Sequence, residues 1–378
     1  MKIGIITLPL HFNYGGILQA YALQTILERM GNDVVIIEQQ KKKSPSVRLF
    51  FAYIKRFICK YILGKQIRIF AEKYDSYAFP IITTNTMSFI NKYIHIIKVE
   101  DYGMIKSQNF DAIVVGSDQI WRPKYFHCIE NAFLNFAMGW NIKRIAYAAS
   151  FGTSVWEYSD TQTHNCQTLV KLFDLISVRE SFGCDLCRKY LNVEASHVLD
   201  PTMLLTRKDY ESLISDYNEE INGNMMVYLL DETPSNMEAV FNIAKNLKLT
   251  PFKANSKVED FFAPINERIQ PPLEKWLKGF KESDVVITDS FHACVFSIIF
   301  HKDFYAICNP KRGNDRFISL LEMFGLTDRL FNSLDEINVL KLKSIDYESV
   351  ERKLKEKRQM SLSLLRTSLT MDNDSNNR

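Results

Sequence analysis

Short apolar runs alternate along this chain with longer stretches whose hydrophobic positions recur every three or four residues. The runs Lys2–Thr7, Val34–Glu38, Ala112–Gly116, Arg144–Ala148, Leu175–Val178 and Ser196–Leu199 predict strands. Most are followed by helical periodicity, the signature of parallel strands covered by helices on both faces. The alternation pauses at Leu199-Asp200-Pro201-Thr202 and restarts with strands Met225–Leu230, Asp284–Thr288 and Phe304–Cys308 and helices Asn236–Asn246 and Ser290–Phe300. The expected fold class is therefore α/β, with two doubly wound Rossmann-like units, residues 1–200 and 201–345. A charged helix begins at 346 and decays into a polar, frayed tail ending at 378. Such folds bind ligands beyond the carboxyl ends of their strands, so a cleft between the units is the expected site.

Residues 41–100 interrupt the alternation as a basic helical excursion. Between Lys41 and Lys73 lie ten Lys or Arg against one acid, Glu72, interleaved with Phe50, Phe51, Tyr53, Phe57, Tyr61 and Phe70. Phe50, Tyr53, Phe57 and Tyr61 recur at helical spacing, so an amphipathic helix or helix pair is predicted. Its apolar stripe either packs on the first unit with the lysines in water, or lies on an anionic membrane surface as a peripheral contact.

Composition narrows the picture. With 378 residues, 46% of them hydrophobic, the chain can bury two ordinary cores. A net charge of +3 is too small to draw nucleic acid through the overall field, and none is expected as a partner. Seven irregularly spaced cysteines do not read as a disulfide framework. Cys184 and Cys187 form a C-x-x-C, but no second pair completes a metal box, so a helix Ser181–Leu191 bearing two buried thiols is expected. No apolar run approaches the ~20 residues of a membrane span, and the apolar start lacks a cleavage site. These features point to a cytoplasmic protein without metal or cofactor.

Four stretches carry candidate chemistry. Asn13-Tyr14-Gly15-Gly16 sits where the first strand feeds the first helix, and paired glycines there either make a tight turn or let a ligand approach the backbone. Val115-Gly116-Ser117-Asp118 ends a strand with a hydroxyl and a carboxylate. Asp118 suits a base or an anchor for a sugar hydroxyl, or simply the cap of a turn. Arg179 ends another strand, where its planar fork suits phosphate or carboxylate, or an ion pair with Glu180 or another neighbouring acid. Thr288-Asp289-Ser290-Phe291-His292 places a histidine in the first turn of a helix, where free amides favour an anion and imidazole can move a proton, or where the histidine is simply structural. Lys311, Arg312 and Arg316 follow in a basic loop.

Taken in order, NYGGILQAYAL (13–23), VVGSDQIW (114–121), AYAASFG (146–152), ISVRE (176–180), VLDPTMLL (198–205) and TDSFHA (288–293) resemble the polysaccharide pyruvyl transferase family. The resemblance implies a two-domain fold similar to GT-B glycosyltransferases and transfer of pyruvate from phosphoenolpyruvate onto a sugar as a cyclic ketal. It puts Asn13, Tyr14, Gly15 and Gly16, with Ser117 and Asp118, beside the acceptor sugar of a nucleotide- or lipid-linked precursor of bacterial surface polysaccharide. It puts His292 and Ser290 with the donor, Arg179 on the donor's acidic groups, and one further basic residue there. Arg316 is the match, with Lys311 and Arg312 as rivals. Such chemistry needs one acid, here His292, and one base, here Asp118, and no metal. Two rivals stand beside this reading: a nucleotide-sugar glycosyltransferase and a non-catalytic sugar-binding protein of the same fold.

Overall fold

The computed structural model describes residues 1–40, 46–309, 313–338 and 343–370. Lys41–Lys43, Lys311, Arg312 and the polar tail lie outside the described residues. β1 (Lys2–Ile6), α1 (Tyr14–Arg29) and β2 (Asp33–Gln39) open the first unit. The excursion folds as α2 (Ser46–Tyr61), α3 (Ala71–Ile82) and α4 (Thr84–Tyr93), before β3 (Ile96–Val99). Then come β4 (Ala112–Val115), β5 (Lys143–Ala149), α5 (Asp160–Val170), β6 (Leu175–Val178), α6 (Ser181–Leu186) and β7 (Ser196–His197). All these strands pair in parallel, in the order β3-β2-β1-β4-β5-β6-β7.

The second unit runs α7 (Arg207–Leu213), β8 (Met225–Tyr228), α8 (Pro234–Leu247), β9 (Pro251–Lys253), α9 (Ile265–Arg268), α10 (Leu273–Glu282) and β10 (Val285–Thr288). It continues through α11 (Phe291–Ile299), β11 (Asp303–Ile307), α12 (Asp315–Phe324) and β12 (Leu330–Phe331). Its parallel order is β12-β11-β10-β8-β9. A last helix, α13 (Tyr347–Thr370), returns to the first unit: its Ser361 hydroxyl accepts from the Leu199 amide at 3.1 Å, and Arg358 donates to the Met203 carbonyl at 2.8 Å.

Central strands read as continuous apolar runs because both faces are covered: every residue of β4, β5 and β10 is buried. α10 shows the complementary pattern, burying Leu273, Trp276, Leu277 and Phe280 at helical spacing with lysines outward. β3, β9 and β12 escape the apolar pattern because they are short, partly exposed edge strands. The predicted helix Ser181–Leu191 is α6 followed by a wider π turn, Cys187–Leu191; Cys187 is buried but Cys184 only half so.

The strand orders fix where ligands can go. In the first sheet the chain leaves β1 outward and returns on the other side at β4; in the second it leaves β8 outward and returns at β10. Each reversal opens a crevice at carboxyl strand ends. One apolar cluster, running from Ile3 and Leu23 through Tyr14 to Trp276 and Phe296, joins the two sheets.

The excursion departs from one of its two expectations. α2 does not lay its stripe on the first unit: Val47, Phe50, Phe51, Ile54, Phe57, Ile58 and Tyr61 are 43–69% exposed. Tyr53 alone of the expected aromatic stripe turns inward, its ring 5.0 Å from Phe70.

Tyr14 is fully buried and its hydroxyl donates to the Pro271 carbonyl at 2.7 Å, bridging the units. Tyr14→Phe leaves that carbonyl without its donor and is expected to cost about 1–3 kcal/mol. Urea unfolding checks this; an unchanged midpoint refutes the bridge.

Candidate functional site

The two crevices face each other across a cavity of about 220 Å³. The first unit lines it with Phe12 and Asn13 after β1 and with Asp118 and Gln119 after β4; the second contributes Tyr228 at the end of β8 and Asp289–His292 after β10. Arg316, at the start of α12, completes the wall. A wider hollow of about 950 Å³ adjoins it, sharing Tyr228, Leu230, Val258, Glu259 and Gln270 and reaching the start of α8 at Pro234.

Behind this wall lies Arg179, its side chain 1% exposed. Nη1 donates to Asp200 Oδ2 at 2.8 Å, Nε donates to Glu180 Oε1 at 3.2 Å, and Nη2 lies 3.5 Å from Asp118 Oδ1. The guanidinium also covers the Phe291 ring at 4.5 Å. Burial disfavours its charge, but Glu180, Asp200 and Asp118 outweigh that and push its pKa above the ordinary value. Glu180 also accepts from the Ser150 hydroxyl at 2.5 Å, and burial raises its pKa against the pull of Arg179.

His292 stands on the cavity side of this cluster. α11 begins without a side-chain cap from Ser290, and Ser290, Phe291 and His292 of this first turn line the cavity. His292 Nε2 lies 3.7 Å from Asp200 Oδ2 and has no hydrogen-bond partner among the described residues. Asp200 Oδ1 accepts from the Thr202 amide at 3.0 Å and hydroxyl at 2.6 Å. Burial alone would raise the Asp200 pKa, but His292, Arg179 and Thr202 hold it well below the usual carboxylate range. Arg316 goes the other way. Burial, then the charge of Arg179, bring its pKa down to about 10 against the pull of Asp118 and Glu180.

A model of the family described as polysaccharide pyruvyl transferase matches residues 13–309. The chain belongs to this family. A comparison with curated proteins finds no match. Among solved structures the chain is similar to a UDP-GlcNAc 2-epimerase from Methanocaldococcus jannaschii, at 13% identity and TM-score 0.44 over 94% of this chain and 92% of that one. It is similar to the UDP-N-acetylglucosamine 2-epimerase of Rickettsia bellii, at 10% identity and TM-score 0.48 over 98% and 96%. It is also similar to apo UGT2 of Phytolacca americana, at 11% identity and TM-score 0.44 over 98% and 99%.

Within this family member, the expected site residues separate into three groups. Asn13, Asp118, Ser290, His292 and Arg316 come together on the cavity wall; Arg316 lies beyond the stretch that the family model matches. Arg179 and Ser117 lie behind it. The expected donor clamp at Arg179 is thus an ion-paired cation, because three carboxylates already surround its fork. Ser117 is buried, its amide donating to Gln19 Oε1 at 3.0 Å.

The opening turn forms the third group, and there the structure revises the expectation of open backbone beside a sugar. Tyr14 belongs to the core, with Trp276 at 5.3 Å. Gly16 lies against the side chain of Asn13, which accepts from the Gly16 amide at 3.2 Å as a helix cap. Gly15 is closed off by His292: a Cβ there would stand 2.0 Å from His292 Nδ1. The glycine makes room for the imidazole. Asp200 is the site residue that sequence reasoning did not assign. Its clue was an acid set among apolar residues in Val198-Leu199-Asp200-Pro201, a stretch that carried the family motif and marked the joint between units but was given no chemical role.

Among the described residues, no cluster of His, Cys, Asp and Glu is arranged to hold a metal ion. Two substitutions check the arrangement. Arg179→Lys removes a fork that three buried acids share and is expected to cost about 3–5 kcal/mol, while the donor KM of the folded fraction changes less than about twofold. A large KM change at unaltered melting temperature would return Arg179 to direct ligand contact. Gly15→Ala drives a Cβ into the His292 ring; this overpacking is expected to cost about 1–3 kcal/mol, read as a lowered melting temperature, and an unchanged melting temperature would show that the imidazole moves freely.

Proposed function

We propose that the protein transfers pyruvate from phosphoenolpyruvate to two hydroxyls of a sugar, forming a cyclic ketal. The observation that supports this best is His292 in the uncapped first turn of α11, beside buried Arg316, in the cavity where both crevices meet. Phosphoenolpyruvate carries a phosphate and a carboxylate. The amides opening α11 and the Arg316 guanidinium suit those groups, and an anion here would offset the burial and the repulsion that lower the Arg316 pKa.

In this reading His292 protonates the methylene carbon, and ionised Asp200 stabilises the imidazolium beforehand. The neighbouring carbon becomes oxocarbenium-like and is attacked by one sugar hydroxyl, whose proton passes to Asp118. The second hydroxyl then displaces inorganic phosphate and closes the ring, its proton leaving with the phosphate or returning to His292. Arg179 holds Asp118 and Asp200 in place. We assign the acceptor sugar to the adjoining hollow, its reacting hydroxyls reaching Asn13 and Asp118 on the wall of the smaller cavity. The hollow's Lys253 and Lys257 are occupied by Glu232 and Glu267 at 2.6 and 2.7 Å, which suits sugar hydroxyls better than a second phosphate. The acceptor in this reading is a nucleotide- or lipid-linked precursor of surface polysaccharide, modified at the cytoplasmic side where phosphoenolpyruvate is made.

Purified protein given radiolabelled phosphoenolpyruvate and a glycan-precursor extract should release phosphate and label the glycan; label arriving from nucleotide sugars instead overturns the reading. His292→Gln should lower turnover by ~10²–10⁴ at an unchanged melting temperature. Arg316→Gln should raise the donor KM by about 10–100-fold, the loss of a charge-assisted contact, with smaller effect on acceptor. Wild-type kinetics in either variant removes that residue from the mechanism.

A further inference from the structure

α2 is a helix with two apolar demands and only one of them met. Its inner face, Leu49, Ala52, Tyr53, Arg56 and Cys59, is half-buried. Arg56 donates to both carboxylate oxygens of Glu72 at 2.6 and 2.8 Å, and Tyr53 meets Phe70, which fixes how the helix is rolled. With that roll, Phe50, Phe51, Ile54, Phe57, Ile58 and Tyr61 form an outward stripe about 120° wide. A core-packed helix of this composition would turn that stripe inward; here the body holds the opposite side.

Charge says what the stripe fits. Arg48 and Lys55 project along one margin of it and Lys60 beyond the other, and residues 41–71 contain no Asp or Glu at all. An apolar band bordered only by cations matches an anionic lipid surface, where the band enters the acyl boundary and the cations meet headgroup phosphates. A second copy is a poor occupant, since a two-fold contact through this face sets the same cations against each other with no acid to receive them. The patch also continues toward the cavity. Arg68 donates to the Phe261 carbonyl at 2.7 Å and lies 5.7 Å from the Phe262 ring, and both phenylalanines are exposed. They belong to the loop whose Val258 and Glu259 line the two hollows.

We propose that α2 docks the protein on an anionic bilayer, its aromatic face in the interface and Arg48, Lys55 and Lys60 on the headgroups. Among the described residues no helix is long and apolar enough to cross a membrane, so the contact is with one leaflet. The proposal stands independently of the transfer chemistry.

Sedimentation of the full chain with vesicles tests it. Wild type should pellet with phosphatidylcholine vesicles containing phosphatidylglycerol, and less as salt rises from about 0.05 to 0.5 M, because screening shortens the reach of surface charge. The triple variant Arg48→Gln, Lys55→Gln, Lys60→Gln should lose about 100-fold in partition at low salt, about fivefold per cation. The double variant Phe50→Ser, Phe57→Ser should fail to pellet at either salt. Both should keep the wild-type melting temperature, since the replaced side chains face outward. The proposal falls if wild type stays in the supernatant, if it binds neutral and anionic vesicles equally, or if the triple variant pellets like wild type. A concentration-dependent dimer abolished by the double variant would give the face to a second copy and overturn it as well.

Discussion

The buried Arg179 guanidinium is the point at which the candidate site is assembled. It reaches Asp118 on the loop after β4, Glu180 beside it and Asp200 on the segment after β7, and it covers Phe291 at the start of α11. Removing one member of such a buried set leaves charges uncompensated, a cost of about 3–5 kcal/mol against a total stability about two or three times that. The three loops are therefore held as one body. Asp200 keeps its charge beside Arg179, His292 and Thr202, and the histidine next to it has a fixed anion to face.

A second constraint is steric. Gly15 opens α1 where the His292 ring must pass, so the first turns of α1 and α11 meet through an imidazole and a backbone. The same economy recurs where the units touch on the other side: a Cβ on Gly313, whose φ is +90°, would stand 2.5 Å from the Gly152 carbonyl oxygen. Ser154 donates its amide to Asp315 Oδ2 at 2.8 Å nearby, which seats the start of α12 and with it Arg316. Together with Tyr14 and α13, these contacts bring the two strand-order reversals face to face around one small cavity.

Electrostatically the two arginines sit in opposite surroundings. Arg179 is matched by acids on every polar edge and lies away from the cavity. Arg316 is buried at the cavity, and burial and the charge of Arg179 lower its pKa.

What the sequence by itself determined is whatever depends on a residue and its near neighbours. Buried parallel strands need apolar runs, so β1, β4 and β10 were legible, as was the restart that separates the two sheets; α11 with His292 in its first turn followed from the same local pattern. Six short motifs in order were enough for the family. Short edge strands such as β9 and β12 carried too little apolar periodicity to be seen. Tertiary structure alone decided the rest. Arg179 could meet ligand or acids until the fold brought Asp118 and Asp200 to it from 61 and 21 residues away in the chain. Gly15 looked like an opening until His292, 277 positions later, filled it. The α2 stripe had two possible faces to cover it, and the Arg56–Glu72 pair settled its roll. In each case helical or strand spacing lists which groups are available, but which charge or surface meets them is fixed by contacts between segments far apart in sequence, where local pattern carries no information.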